Sequence, residues 1–253
     1  MKKISCVVCG NKKINDVLDL GKTSLANNLV SFKDKDFKDK KYPLVLSQCT
    51  NCYHVQLKYI VKPKLMFDKY LYLSSASSTL TKHLNSIPQA INKLVKINKK
   101  DIVLDIGSND GSLLKGYKKF NAKCIAVEPA KNLRKYYKNT SIINYTNYFD
   151  ENLAKKIAKK HGKPKIITAT NVFPHIQNLE KFCKSLKILM EEKSVFVFEA
   201  HYLLNLLNDA AFDTIYHEHV SYWSITAAQT LFDKHGLELF KVDKLNIHHG
   251  QIR

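Results

Sequence analysis

Arginine is nearly missing from this 253-residue chain: Arg134 and Arg253 are the only two. The net charge is nonetheless +19, so lysine carries the excess. Bidentate contacts to phosphates and bases favour arginine's planar fork. The lysines are scattered along the whole length, with short clusters such as residues 33–41 and 96–100. The charge is therefore read as a solvated surface, and no nucleic-acid partner is expected. Also missing is any apolar run approaching the roughly 18 to 20 residues of a membrane span, so no membrane partner is expected. The opening Met1-Lys2-Lys3-Ile4-Ser5-Cys6 is basic but lacks the apolar stretch of a secretory signal, which makes the cytoplasm the expected location. A composition of 45% hydrophobic and 25% charged residues is ordinary for a soluble globular protein. A chain of this length can bury one large core, or one core plus a small module.

What is present begins with cysteine. Four of the six cysteines form two CxxC pairs, Cys6/Cys9 and Cys49/Cys52. Two thiolates spaced in this way bind one ion from a single tight turn, and two such turns complete a tetrahedral four-sulfur site. Gly10 suits the first turn and Asn51 the second, where unusual backbone angles are expected. Redox pairs and buried free thiols are the competing readings. A duplicated CxxC favours zinc, and four thiolates leave no position open for water, so the ion is expected to be structural. His54 is the competing ligand and is expected to be a bystander. Cys124 and Cys183 lie in apolar settings and are expected to be core thiols. The charged run at 33–41 is expected to be an exposed loop or turn.

From about residue 79 the pattern alternates helix and strand. A helix at 80–95 leads to a strand at 102–106, a turn at 107–111 and a short helix from Ser112. Further strands are expected at 124–127, 141–145, 165–170, 194–199 and 237–242. Helices are expected at 131–137, 152–160, 179–190 and 225–234. Such alternation implies an α/β fold with a mainly parallel, doubly wound sheet. Ligands in these folds sit beyond the carboxyl ends of the strands, at the topological switch point.

The first of these strands ends in Asp105-x-Gly107-x-x-x-Gly111. Its glycines let the backbone turn closely around a ligand, and Glu128 ends the next strand, where an acid can accept ribose hydroxyl protons. A pyrophosphate-binding dinucleotide loop prefers a different glycine spacing, and here Asn109 and Asp110 also occupy the turn. An acidic turn suits a sulfonium cation better than a pyrophosphate. The residues thus favour S-adenosylmethionine over NAD, with a purely structural strand–turn–helix as the third reading.

The segment Tyr216-His217-Glu218-His219-Val220-Ser221-Tyr222 packs two His, a Glu and two Tyr into seven residues. Each carries a polar group that must be solvated or paired, so folding alone gives little reason for the density. Acid/base chemistry at the edge of the sheet is the expected role.

Taken in order, several segments resemble the bacterial sugar C-methyltransferases with an N-terminal zinc module, which act on nucleotide-linked 4-keto deoxysugars. The matching pieces are Leu18-Asp19-Leu20-Gly21, Leu25-Ala26-Asn27, Tyr42-Pro43-Leu44, Val55-Gln56-Leu57 and Tyr70-x-Tyr72-x-Ser74-Ser75. They continue with Gly107-Ser108-Asn109-Asp110-Gly111, Val127-Glu128-Pro129-Ala130, Asn171-Val172-Phe173-x-His175 and Tyr216-His217-Glu218-His219. Departures include Ser24 and His201, where the family has proline, and His249 and Gln251 in the closing motif. The resemblance implies a Rossmann-like class I methyltransferase sheet. It also implies a zinc-binding module at 1–68, a methyltransferase domain at 69–245, and at 246–253 the start of a C-terminal domain that this chain lacks.

The resemblance implies carbon methylation beside a ketone through a base-generated enolate. His219 is expected to be the base, with Tyr216 and Glu218 orienting it or contacting the substrate, and His175 as a further donor. Tyr72 and Ser75 are expected at the aminoacyl end of S-adenosylmethionine. Asp105, Gly107, Ser108, Asn109, Asp110 and Gly111 form its turn, Glu128 holds its ribose, and Asn171 lies near its methyl end. Cys6, Cys9, Cys49 and Cys52 hold the zinc. The expected partner is a nucleotide-linked keto-deoxysugar, together with a separate polypeptide that supplies the missing domain. A zinc-module RNA base methyltransferase is the alternative enzyme class, against which stand the scarce arginine and the lack of an Asn-Pro-Pro-Tyr amine site. A chain that binds S-adenosylmethionine without turnover of its own is the non-enzymatic alternative.

Overall fold

The computed structural model describes residues 5–29, 31, 33, 38–68, 70–247 and 250–253. In chain order the strands and helices are β1 (Ile14–Thr23), β2 (Tyr42–Cys49), β3 (Val55–Leu57), α1 (Lys64–Phe67), α2 (Ser78–Leu94), β4 (Ile102–Ile106), α3 (Ser112–Lys115) and β5 (Lys123–Val127). They continue with β6 (Ile143–Tyr145), α4 (Glu151–His161), β7 (Ile166–Thr170), α5 (Leu179–Leu189), β8 (Val195–His201), α6 (Leu203–Asn208), β9 (Ser221–Tyr222), α7 (Ile225–Lys234), β10 (Lys244–Leu245) and β11 (Gln251–Ile252). The chain forms two compact units. The first comprises Met1–Met66, Phe173–Glu180 and Glu199–Arg253, and the second Phe67–Val172 and Lys181–Phe198.

The second unit is the α/β layer structure. Its strands run in the order β8-β7-β4-β5-β6, with β4 parallel to both β5 and β7, and β5 parallel to β6. Strands β4, β5 and β7 are buried almost throughout, which explains their near-continuous apolar sequences. The chain moves outward from β4 through β5 to β6, then returns to the other side of β4 with β7. The switch point is therefore the gap between the carboxyl ends of β4 and β7. Helix α2 buries Leu80, Leu84, Ile87 and Ile91 along one stripe, and each such burial is worth about 1.5–3 kcal/mol. Its first turn is closed by the Leu80 N–H donating to Ser77 Oγ at 3.2 Å. Helix α4 begins in the same way, with Leu153 N–H donating to Asp150 Oδ1 at 2.8 Å.

The first unit is built on an antiparallel sheet in the order β1-β2-β3-β9. Leu46 lies opposite Leu57, and Val55 opposite Tyr222. Their side chains join Leu44, Leu206 and Ala211 in a single apolar cluster. Trp223, fully buried, stacks on Phe173 with ring centroids 4.6 Å apart, and Phe173 stacks in turn on Phe232 at 5.9 Å. Strand β11 pairs antiparallel with residues 200–201 of β8 and with β10.

Three expected elements differ. Residues 237–242 form no strand, although four of the six are apolar. Leu237 N–H instead donates to Phe232 O at 2.9 Å and closes the end of α7, while Phe240 is exposed. An apolar run makes a strand only where a neighbour completes the ladder. Residues 131–137 are a 3-10 helix rather than an α-helix, and the strand expected from residue 141 begins at Ile143. Of the charged run at 33–41, residues 34–37 lie outside the described residues, as do His248 and His249 of the closing motif.

Gly107 follows β4 with φ +66°, and a Cβ built there would run into the side chain of Val172. A left-handed non-glycine residue costs about 1–3 kcal/mol before any overlap. Gly107→Ala is expected to lower the thermal midpoint by at least ~3 °C. A calorimetric scan superimposing on the wild type would contradict this reading of the turn.

Candidate active site and metal centre

The two CxxC pairs meet. Cys6 and Cys9 flank one turn, Cys49 ends β2, and Cys52 lies in the turn that leads to β3. The four sulfurs all lie within 4.8 Å of one another, with Cys6–Cys52 and Cys9–Cys49 both at 3.5 Å. A tetrahedral ion with bonds of about 2.3 Å holds its sulfurs about 3.8 Å apart, so the donor set fits zinc. Asn51 N–H, at 3.4 Å, and Asn11 Nδ2, at 3.7 Å, donate to Cys49 Sγ. The left-handed residues of the two turns are Gly10 and Tyr53, so Tyr53 takes the backbone angle expected of Asn51. His54 is fully buried and is not one of the clustered donors. Cys124 and Cys183 are buried free thiols.

At the switch point the turn after β4 is laid out by three left-handed residues, Gly107, Asn109 and Gly111. Both oxygens of Glu128 accept backbone N–H bonds at 2.8 Å, Oε2 from Asn109 and Oε1 from Ala130. A carboxylate oxygen has more than one acceptor site, so the group stays rigid and can still take two ribose hydroxyls. Burial raises the Glu128 carboxyl above its usual range, and the two N–H donors oppose that shift. Asp105 is deeper. Burial pushes it up to about 7, against a 2.6 Å bond donated by Thr168 Oγ1.

The side chains of Asn109 and Asp110 are engaged by the chain itself. Asn109 Nδ2 donates to Tyr72 O at 3.0 Å, and Ser74 N–H donates to Asn109 Oδ1 at 3.0 Å. Ser75 N–H donates to Asp110 Oδ2 at 2.8 Å, and the other Asp110 oxygen takes Ser112 N–H and Oγ. Ser108 Oγ bonds Tyr137 OH at 2.8 Å, and Tyr137 OH donates to Asn109 O at 2.6 Å. The turn and residues 72–75 are thus one braced assembly, with the Tyr72 side chain itself largely exposed. Tyr137, and Asn132, which donates to Tyr70 O at 2.7 Å, are parts of this brace that the sequence did not single out. Asn171, left-handed, follows the end of β7.

In the first unit, residues 216–219 turn between a 3-10 helix at Phe212–Thr214 and β9. The imidazole of His219 is buried. Its Nδ1 lies 2.8 Å from Thr214 O, and a carbonyl can only accept, so Nδ1 carries the hydrogen and Nε2 the lone pair. Tyr216 OH donates to that lone pair at 2.9 Å. His175 and His201 flank the ring, with centroids 5.2 and 5.0 Å from it. His175 Nδ1–H donates to Glu218 O at 2.8 Å, which fixes its tautomer too. Burial first, and then the neighbouring His175 and His201, hold His219 well below the ordinary histidine value of 6.5.

Glu218 is buried. Its Oε1 accepts from Asn27 Nδ2 at 2.6 Å, and Oε2 has no partner among the described residues. Burial raises this carboxyl, with the Asn27 bond opposing. His201 and Asn27 were missed as site residues. His201 was visible only as a departure from proline, and Asn27 only as part of Leu25-Ala26-Asn27.

Residues 80–242 match a family described as a methyltransferase domain, and residues 6–67 a family described as a zinc binding domain. The first match covers more than half of the chain. The chain belongs to the methyltransferase domain family. C-methyltransferase NovU of Streptomyces niveus is 29% identical to this methyltransferase over 247 residues, which is 98% of the chain and 59% of NovU. The chain thus spans less than two thirds of that relative's length. Among solved structures, a complex of the Haloferax volcanii Trm112 methyltransferase activator with a methyltransferase aligns at TM-score 0.51 and 14% identity, over 64% of this chain and 72% of that one. Mycolic acid cyclopropane synthase CmaA1, complexed with SAH and CTAB, aligns at TM-score 0.50 and 13% identity, over 73% and 71%. At these identities the likeness is one of fold. The chain thus combines a methyltransferase domain with a zinc-binding module in which four cysteines cluster. Among the described residues, no helix is long and apolar enough to cross a membrane.

Two outcomes follow. Metal analysis is expected to return one zinc per chain, and Cys49→Ser is expected to lose it; full occupancy in the variant would refute the four-cysteine assignment. Glu128→Ala removes a charged acceptor worth about 1.5–3 kcal/mol, so S-adenosylmethionine should bind roughly ten- to a hundredfold more weakly. Equal affinities by calorimetry would move the ribose elsewhere.

Proposed function

We propose that this methyltransferase methylates carbon, at a position beside the ketone of a nucleotide-linked 4-keto deoxysugar, with His219 as the base. The observation that carries the reading is the His219 imidazole: buried, fixed in one tautomer by Thr214 O, and aimed through its Nε2 lone pair at the Tyr216 hydroxyl. The resemblance to sugar C-methyltransferases supports the substrate class, and the printed name of the NovU relative supports carbon as the acceptor.

His219 Nε2 takes the proton from the carbon beside the ketone, and the electron pair of that C–H bond moves into the carbonyl as an enolate. S-adenosylmethionine, when bound, supplies the electrophilic methyl that this carbon takes up. The Tyr216 hydroxyl donates to Nε2 in the resting state, and its hydrogen is free to turn to the developing enolate oxygen once Nε2 takes the carbon's proton. Glu218, held by Asn27 through one oxygen, keeps the other for a sugar hydroxyl. His175, fixed on Glu218 O, offers a second imidazole beside the base. Glu128 fixes the ribose, and the braced turn from Gly107 to Gly111 holds the cofactor chain.

A base acts in its unprotonated form. A His219 held below 6.5 is unprotonated at and above that pH, so kcat/KM is expected to stay flat through pH 6.5 and to fall only at more acid values. His219→Asn keeps approximate shape but takes no proton near neutral pH. Mixed with S-adenosylmethionine and a panel of nucleotide 4-keto deoxysugars, the variant is expected to hold cofactor affinity within twofold. Its turnover should fall at least ~100-fold, read by product mass. Turnover near the wild-type rate, or an acid limb at or above pH 6.5, would remove His219 from the role.

A further inference from the structure

The zinc module holds the base-bearing segment through more than a shared sheet. Strand β3 begins three residues after Cys52, and each of its residues is committed in two directions. Gln56 receives Val7 N–H on Oε1 at 2.8 Å and donates Nε2–H to Ser5 O at 3.2 Å, which docks the first cysteine turn. On its other side β3 pairs with β9, Val55 opposite Tyr222 and Gln56 opposite Ser221, and Leu57 N–H donates to Val220 O at 2.9 Å. Val220 follows His219 directly.

His54 joins these two sets of contacts. Its carbonyl accepts Cys49 N–H at 2.9 Å, across the second cysteine turn. Its side chain is fully buried, with Nε2 3.1 Å from Ser221 Oγ and its ring 5.0 Å from Trp223. Trp223 stacks on Phe173, two residues before His175. One residue therefore touches the second cysteine turn through its carbonyl and, through its ring, the strand that follows His219 and Trp223 of the aromatic stack. A buried polar ring with a single side-chain bond is a costly way to fill a core, and an apolar side chain would fill it without that cost. Two further ties reach the same segment from the same part of the chain, Asn27 to Glu218 and His217 Nε2–H to Tyr42 O at 3.3 Å.

We propose that His54 is a positioning residue for the base, transmitting the shape of the four-cysteine turn to His219 through Ser221 and β9. The proposal rests on His219 acting as the base. A shift of about 1 Å in a catalytic group costs on the order of a hundredfold in rate. The bond can be removed from either end. Ser221→Ala deletes one buried hydroxyl, His54→Phe replaces the ring with an apolar one, and His54→Gln offers an amide at a similar reach.

Zinc per chain and S-adenosylmethionine affinity are expected to match the wild type, within twofold for affinity. Methyl transfer should fall about 10- to 100-fold in His54→Phe and Ser221→Ala. The double variant should be no worse than His54→Phe alone, since both remove one bond, and His54→Gln should recover most of the rate. The decisive readout is the NMR titration of the His219 ring. In the two single variants it should rise toward the ordinary value of about 6.5 as the segment loosens and water enters. An unmoved His219 titration with unchanged transfer in both would reduce His54 to core packing and overturn the proposal. Because the titration needs no sugar, its result stands whether or not the sugar assignment does.

Discussion

The 2.8 Å bond from His219 Nδ1 to the Thr214 carbonyl decides which ring nitrogen can act. With the hydrogen committed there, the lone pair sits on Nε2, beside Tyr216 OH, and the ring cannot flip without stranding a buried polar group. Burial and two adjacent imidazoles hold the ring well below the ordinary histidine value, so in its proposed role as base it need not first lose a proton. Such a ring gives up basicity for availability. On the proposed reading the chemistry depends on a substrate acidified by its own carbonyl, and a carbon beside a ketone meets that condition where an unactivated carbon does not.

The cofactor turn answers a different constraint, that of close approach. Gly107 has no room for a Cβ beside Val172, and Glu128 is held by two backbone N–H groups before any ligand arrives. Asn109 and Asp110, both expected at the cofactor turn, bond the backbone of residues 72–75. Their polarity mounts a strap alongside the turn. The polar residues of the turn at 107–111 and, separately, those of the segment at 216–219 are mostly satisfied by the chain itself, which fixes position ahead of binding.

Much of the second unit was legible because its signals are local. Strand β4, the start of α3 at Ser112 and helix α4 fall within a residue of where the sequence pattern puts them, and a parallel sheet follows from alternation of strand and helix. The four-cysteine site was legible because spacing determines tetrahedral geometry. The antiparallel sheet of the first unit was not. Strand β3 is three residues long and β9 two, too short for any period, and they pair across a long stretch of sequence. Residues 237–242 show the reverse error, since their apolar residues read as a strand and find no ladder. Asn27 and His201 were hidden for one shared reason: a lone polar residue acquires its contacts only through neighbours distant in sequence.

The central claim, that the methyl goes to a carbon first stripped of its proton by His219, is tested most directly without methyl transfer. The protein, saturated with S-adenosylhomocysteine in D2O, is given a nucleotide 4-keto deoxysugar, and the sugar is followed by NMR. The account requires deuterium to enter at the carbon beside the ketone faster than in buffer alone, and this exchange to vanish in His219→Asn. Exchange at the buffer rate with wild-type protein, or equal exchange in the variant, would contradict it.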